Sequence, residues 1–99
     1  MVYCFDLDGT LCNTDGNNYK DSTPKKERIE IVNVLYDDGH TILIETARGC
    51  ISGKNYFFFT LDQLKSLGVK FHTLRTGVKF GADIFLDDKG IRDRQFFKD

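Results

Sequence analysis

The chain has 99 residues, of which 40% are hydrophobic and 29% are charged, and its formal net charge is −1. One domain over residues 1–99 fits this length, because a chain of this size builds one core and has little room for a second module. The nearly neutral charge provides no basic surface, so we expect no nucleic-acid partner.

The cysteine pattern and the lack of long apolar runs indicate where in the cell the protein is located. Cys4, Cys12 and Cys50 fit no zinc-binding spacing and do not pair evenly, which favours a reduced, cytoplasmic protein. No apolar run approaches the ~20 residues of a membrane span. The first residues lack a basic region followed by a long apolar one, so we predict neither a membrane partner nor a signal peptide.

The first half of the chain predicts a strand, a loop and a helix. Residues 2–7 form a short β-prone run without helical periodicity, which is typical of a buried strand. Residues 8–22 are polar and contain glycine, which predicts a long loop with a flap over residues 11–22. Thr23 and Pro24 suit the N-cap and the first position of a helix, and Gly39 suits its end.

The second half continues the alternation of strands and helices. A strand is predicted over residues 40–45 and a helix over 56–67, closed by Gly68. Strands over 69–74 and 82–86 follow, separated by a loop, and a short helix covers 91–98. This order predicts an α/β protein, a three-layer Rossmann-like sandwich around a mostly parallel sheet.

Acidic residues follow two of the predicted strands. Ligands of parallel sheets bind beyond the carboxyl ends of the strands, and those ends carry Asp6, Thr46 and the pair Asp87-Asp88. Asp6 and Asp8 point to the same face of an extended segment. Two such carboxylates repel each other unless a cation lies between them or one holds a proton. Aspartates that cap a loop are the alternative for an isolated pair, but a second acidic pair favours a cation such as Mg²⁺.

Four segments resemble, in order, the motifs of the haloacid dehalogenase (HAD) superfamily. Asp6-Leu7-Asp8-Gly9-Thr10-Leu11 resembles the first motif, and Ile42-Leu43-Ile44-Glu45-Thr46 resembles the second. Lys79, within residues 77–83, resembles the lysine of the third motif. Phe85-Leu86-Asp87-Asp88 resembles the fourth. The resemblance implies a minimal HAD core without a cap domain.

The resemblance also implies a reaction, the hydrolysis of a phosphate monoester with Mg²⁺ as cofactor. Asp6 would be the nucleophile that forms an aspartyl-phosphate, and Asp8 would be the general acid and then the general base. Thr46 would hydrogen-bond the phosphoryl group, and Lys79 would neutralise its charge and hold Asp6. The candidate catalytic residues are Asp6, Asp8, Thr46 and Lys79.

Further residues are implied in binding. Gly9 would let the backbone turn after Asp8, and Arg48 would reach the substrate phosphate, although a surface or ion-paired arginine is the alternative. The candidate substrate-binding residues are Gly9, Thr46, Ala47, Arg48 and Lys79. The implied magnesium ligands are Asp6, Asp8, Asp87 and Asp88, and which of the last two binds the metal directly is left open. Lys54 and Lys70 are alternative phosphate-binding lysines.

The resemblance also bears on the substrate. An acidic residue at position 8, two residues after the implied nucleophile, favours a phosphatase over a dehalogenase or a transport ATPase. The chain is too short to include a cap domain. Small enzymes similar to it often act in carbohydrate biosynthesis and commonly form homo-oligomers. We therefore expect a small phosphorylated substrate such as a sugar phosphate, and a homo-oligomer. The alternatives are a phosphatase acting on a nucleotide or a nucleic-acid end, and a non-catalytic binding module with this fold.

Overall fold

Five strands and three helices make up the computed structural model, which describes residues 1–99. In chain order these are β1 (Val2–Asp6), β2 (Cys12–Asn13), a 3-10 turn (Tyr19–Asp21), β3 (Thr23–Pro24), α1 (Lys26–Asp37), β4 (Thr41–Thr46), α2 (Phe57–Ser66), β5 (Thr73–Thr76) and α3 (Asp93–Phe97). The strands β1, β4 and β5 form a parallel sheet in that order, and β2 pairs with β3 in an antiparallel ribbon. The predicted α/β class and parallel sheet are confirmed.

One face of the central sheet carries the hydrophobic core. The register places Phe5 beside Ile44 and Ile44 beside Leu74, so these side chains share a face. The helices add Ile29 and Val32 from α1, Leu64 from α2 and Phe97 from α3 to the same buried cluster. All three helices therefore cover one face of the sheet.

The opposite face of the sheet is open, with Cys4, Thr73 and Arg75 exposed on it. The parallel strands lie side by side in chain order, and parallel crossovers of this kind are almost always right-handed, which carries α1 and α2 to the same side. The third layer of the expected sandwich is not filled by any helix of these 99 residues.

The flap contains more regular structure than the sequence predicted, and this moves the start of α1. Thr23 and Pro24 pair with Asn13 and Cys12, so the prediction that they open a helix is wrong. Proline is compatible with this short edge ribbon because its fixed φ suits extended backbone there. The ribbon continues into a hydrogen bond from the Lys25 amide to the Leu11 carbonyl, and α1 begins one residue later.

The ends of both long helices agree with the sequence. Gly39 follows α1 with φ +92° and Gly68 follows α2 with φ +76°, which is the left-handed backbone that glycine adopts without strain. No helix of the protein has the length and apolar character needed to cross a membrane.

The strands in the second half differ from the prediction. β5 begins at Thr73 rather than 69, because the Val69 amide still bonds to Leu64 at the end of α2. The predicted fourth strand over residues 82–86 does not form. Its side chains stay exposed, with Leu86 94% accessible, because no neighbouring strand pairs with this β-prone segment.

Candidate active site

The loop after β1 turns tightly and gathers polar groups at the carboxyl edge of the sheet. The amides of Thr10 and Leu11 both donate to the Leu7 carbonyl, and the Gly9 amide donates to Cys12. Gly9 has φ +86°, a conformation that favours glycine and that fits the predicted turn. The side chain of Thr10 consequently folds back onto the last residue of β1.

Asp6 presents a partly open carboxylate at this edge, with its side chain 36% exposed. One oxygen lies 3.3 Å from Lys79 Nζ, and the other accepts a hydrogen bond of 3.2 Å from Thr10 Oγ1. Lys79 also lies 5.2 Å from the ring centroid of Phe85, a cation–π distance. The structure therefore brings Lys79 to Asp6, and Lys54 and Lys70 do not contact this carboxylate.

Asp8 is held by a different cation. Arg48 donates to both carboxylate oxygens, from Nε at 2.8 Å and from Nη2 at 2.7 Å, and Thr14 Oγ1 donates at 2.6 Å. Burial raises the pKa of Asp8, but the hydrogen bonds from Arg48 and Thr14 outweigh it and hold the pKa below its ordinary value. Asp6 and Asp8 thus have separate basic partners and share no cation between them.

The end of β4 and the turn after it carry the predicted residues Thr46, Ala47 and Arg48. Thr46 is buried, and its hydroxyl lies 3.5 Å from Asp8 Oδ2 and accepts the Arg48 amide at 3.3 Å. Ala47 is exposed. Arg48, predicted at the substrate phosphate, is only 1% exposed and points into the protein toward Asp8.

A sequence profile of haloacid dehalogenase-like hydrolases matches residues 3–71, more than two thirds of the chain. The chain belongs to this family. No protein of curated function matches it. A Vibrio cholerae protein of known crystal structure shares its fold with a TM-score of 0.82 at 24% identity, and the alignment covers 97% of this chain and 86% of that one. Family membership makes the protein a HAD-type hydrolase.

The acidic pair of the fourth HAD motif does not join the site. Asp87 and Asp88 are exposed and follow no strand, because residues 82–86 do not pair with the sheet. Asp87 instead accepts a hydrogen bond from the Lys89 amide at 3.0 Å. No group of three or more His, Cys, Asp or Glu side chains in the chain lies close enough together to hold a metal ion. The four predicted magnesium ligands are therefore not gathered into one cluster in this arrangement.

Several residues of the site were not predicted from the sequence. Thr10 and Thr14 bind the two motif aspartates, and Thr60 and Gln63 of α2 bind Arg48 at 3.3 and 2.6 Å. Thr60 and Gln63 are polar, three residues apart and on the inner side of α2. That spacing was an available signal of a buried polar partner.

A cavity of about 400 Å³, largely open to solvent, lies between the loop after β1 and the flap. It is lined without any hydrophobic side chain, by Gly9, Asn13, Thr14, Asp15, Asp21 and Thr23. Thr14 connects the cavity to the site, because its hydroxyl donates to Asp8. The polar lining offers hydrogen-bonding groups rather than an apolar surface.

Proposed function

We propose that this HAD-type hydrolase cleaves a phosphate monoester, with Asp6 as the nucleophile. The observation that carries the proposal is the Asp6 carboxylate, which is partly open at the sheet edge and fixed on both oxygens by Lys79 and Thr10. A carboxylate in this setting attacks phosphorus, and the ester oxygen leaves as the aspartyl-phosphate forms. Lys79 offsets the charge that the phosphate brings beside Asp6.

Asp8 is proposed to move the protons of both steps. It protonates the leaving oxygen, and it then takes a proton from the water that cleaves the aspartyl-phosphate. Arg48 favours its charged form in the free protein, which suits the second step. The first step needs a proton on Asp8, and an incoming phosphate anion favours that proton because like charges repel.

The substrate proposed is a small hydroxylated metabolite such as a sugar phosphate. The support is the polar cavity beside Asp8, whose threonine, asparagine and aspartate side chains can bind hydroxyl groups. Asp15 and Asp21 in its lining repel a second phosphate. This disfavours a nucleic-acid end or a nucleoside di- or triphosphate, which carries further phosphate groups.

A magnesium requirement is proposed from the family, and no step is assigned to the ion. Family members are generally magnesium-dependent hydrolases. The test is turnover after dialysis against a chelator, with Mg²⁺ or Ca²⁺ restored. Activity that returns with Mg²⁺ supports the requirement, and full activity in the chelated protein contradicts it.

The decisive experiment compares two aspartate variants in hydrolysis of a generic aryl phosphate. Asp6→Asn removes the nucleophilic oxygen charge, so we expect turnover to fall to background while the protein still folds. Asp62→Asn, at an exposed position of α2, serves as the matched control and keeps full turnover. An active Asp6→Asn protein contradicts the covalent role, and an inactive wild-type protein favours the non-catalytic module.

The substrate class is tested with a panel of phosphate esters. Sugar phosphates, nucleoside monophosphates and a 5′-phosphorylated oligonucleotide are compared by kcat/KM under one buffer condition. We expect the sugar phosphates to give the highest values. A preference for the oligonucleotide contradicts the proposed substrate while leaving the proposed reaction intact.

A further inference from the structure

Arg48 has almost no capacity left to bind a substrate. A guanidinium carries five N–H donors, and four of those in Arg48 are taken by Asp8, Thr60 and Gln63. Its side chain has no measurable exposure. A residue enclosed in this way acts through the groups that it binds.

The groups around Arg48 come from three parts of the chain. Asp8 belongs to the loop after β1, Thr60 and Gln63 belong to α2, and the Tyr19 ring of the flap lies over the guanidinium with its centroid 4.5 Å from Cζ. Such a stacked cation and ring attract each other more strongly when water is excluded. Arg48 therefore connects the candidate acid/base residue to both the helix and the flap.

Gln63 connects the same parts a second time. Its Oε1 accepts from Arg48 Nη1, and its Nε2 donates to the Tyr19 carbonyl. The Tyr19 ring also meets Tyr56 edge-to-face, at a centroid distance of 5.2 Å. The flap is thus fixed to α2 by the residue that also fixes the guanidinium.

A planar guanidinium that binds both oxygens sets the orientation of a carboxylate in a way that a lysine does not. Here the Arg48 guanidinium holds Asp8 Oδ1 toward Thr14 and Oδ2 toward Thr46. We propose that Arg48 is a positioning residue that fixes the Asp8 carboxylate for proton transfer and couples it, through Gln63 and Tyr19, to the docked flap. The inference rests on the proposed phosphatase activity and adds a residue role to it.

The first test is Arg48→Lys, which replaces the planar guanidinium by a single ammonium. We expect kcat to fall by about tenfold to a hundredfold, because small misplacements of a reacting group have effects of this size. KM for a small aryl phosphate stays within about twofold, because Arg48 does not touch the substrate. Arg94→Lys, at an exposed position of α3, is the matched control and keeps the wild-type kcat.

The second test breaks the coupling and leaves the Arg48–Asp8 pair intact. Gln63→Leu removes both hydrogen bonds of the amide, with Gln95→Leu on the exposed side of α3 as its control. We expect Gln63→Leu to lower kcat less than Arg48→Lys does. The double variant is expected to lose less than the product of the two single losses, since the residues act as one unit.

A third measurement does not depend on activity. Lys20 lies next to Tyr19 and is exposed, so trypsin cleavage after Lys20 reports release of the flap. We expect Arg48→Lys and Gln63→Leu to speed this cleavage relative to cleavage after Lys89, which serves as the internal reference. Circular dichroism confirms that each variant is folded.

The outcomes separate the two proposals. A wild-type kcat in folded Arg48→Lys overturns the positioning role, and unchanged cleavage after Lys20 in both variants overturns the coupling to the flap. A selective rise in KM with normal kcat assigns Arg48 to substrate binding and also overturns the inference. A wild-type protein without phosphatase activity removes the proposed function, and the positioning role falls with it, while cleavage after Lys20 still decides the coupling.

Discussion

The ammonium of Lys79 lies 3.3 Å from the carboxylate of Asp6, although 73 positions separate the two residues in the sequence. Both side chains are only partly exposed, at 26% and 36%. The contact brings a cation from the loop after β5 to the end of β1. It places positive charge where a phosphate bound to Asp6 would carry negative charge.

Replacing Lys79 by alanine tests this charge. We expect Lys79→Ala to lower kcat/KM for an aryl phosphate by about 10²–10³, the usual effect of losing one group that stabilises developing negative charge. Lys70→Ala is the control, because Lys70 makes an exposed ion pair with Asp37 and does not contact Asp6. Equal activity of the two variants would show that Lys79 has no part in the reaction.

Arg28 fixes the C-terminal helix to α1. It is buried against the Phe97 ring and binds Asp93 at 2.7 Å and Asp99 at 2.6 Å. We expect Arg28→Met to lower the free energy of unfolding by about 1–2 kcal/mol, because the two carboxylates remain near water and recover hydration. Lys70→Met, which breaks a surface ion pair whose side chains are about half exposed, is expected to change the free energy of unfolding by less than about 1 kcal/mol. Urea denaturation measures the free energy of unfolding of both variants. Equal losses would contradict the role of Arg28 in holding the C-terminal helix.

The same ion pairs predict how stability depends on pH. Hydrogen bonds from Arg28 hold the pKa of Asp93 below its ordinary value. A lowered pKa contributes stability that is fully present above the unfolded-state pKa, about 3.9, and is lost as the pH falls through the folded-state value. The stability difference between wild type and Arg28→Met should therefore be constant near neutrality and shrink below about pH 4. Denaturation series at several pH values measure it, and a difference that grows on acidification would contradict the assignment.

Two glycines in one loop predict unequal responses to alanine. Gly49 has φ +85°, and a Cβ there would collide with the Lys54 carbonyl, whereas Gly53 has φ +72° with open space around it. We expect Gly53→Ala to cost about 1–2 kcal/mol from the left-handed backbone alone. Gly49→Ala adds a backbone clash next to Arg48, so it should be clearly less stable and also less active. Thermal unfolding and aryl phosphate turnover distinguish the two variants.

Local signals in the sequence determined much of the fold. The apolar spacing of α1 and the glycines at positions 39 and 68 defined where both long helices end, because these features depend on neighbouring residues only. The β-prone runs at β1 and β4 determined two adjacent parallel strands, and their polar last residues placed Asp6 and Thr46 at one edge of the sheet. The sequence therefore predicted these two parallel strands and the ends of both long helices correctly.

Pairing between distant segments was decided only by the tertiary structure. Thr23 and Pro24 suit the start of a helix, but in the folded chain they pair with β2 in an antiparallel ribbon instead. Residues 82–86 have the composition of a strand, yet a strand forms only where a neighbour accepts its hydrogen bonds, and here none does. Asp87 and Asp88 consequently do not join Asp6 and Asp8 in one acidic cluster.

The site shows the same division between local pattern and distant contact. The resemblance of four ordered segments to the HAD motifs named Asp6, Asp8, Thr46 and Lys79. Asp6 and Thr46 lie together because the carboxyl ends of parallel strands meet at one edge. The resemblance implied that Lys79 holds Asp6, but the sequence did not determine that Arg48 binds Asp8, because that contact depends on how α2 and the flap pack. Only the folded chain encloses Arg48 between Asp8, Gln63 and Tyr19, where these groups replace the water that a buried charge has lost.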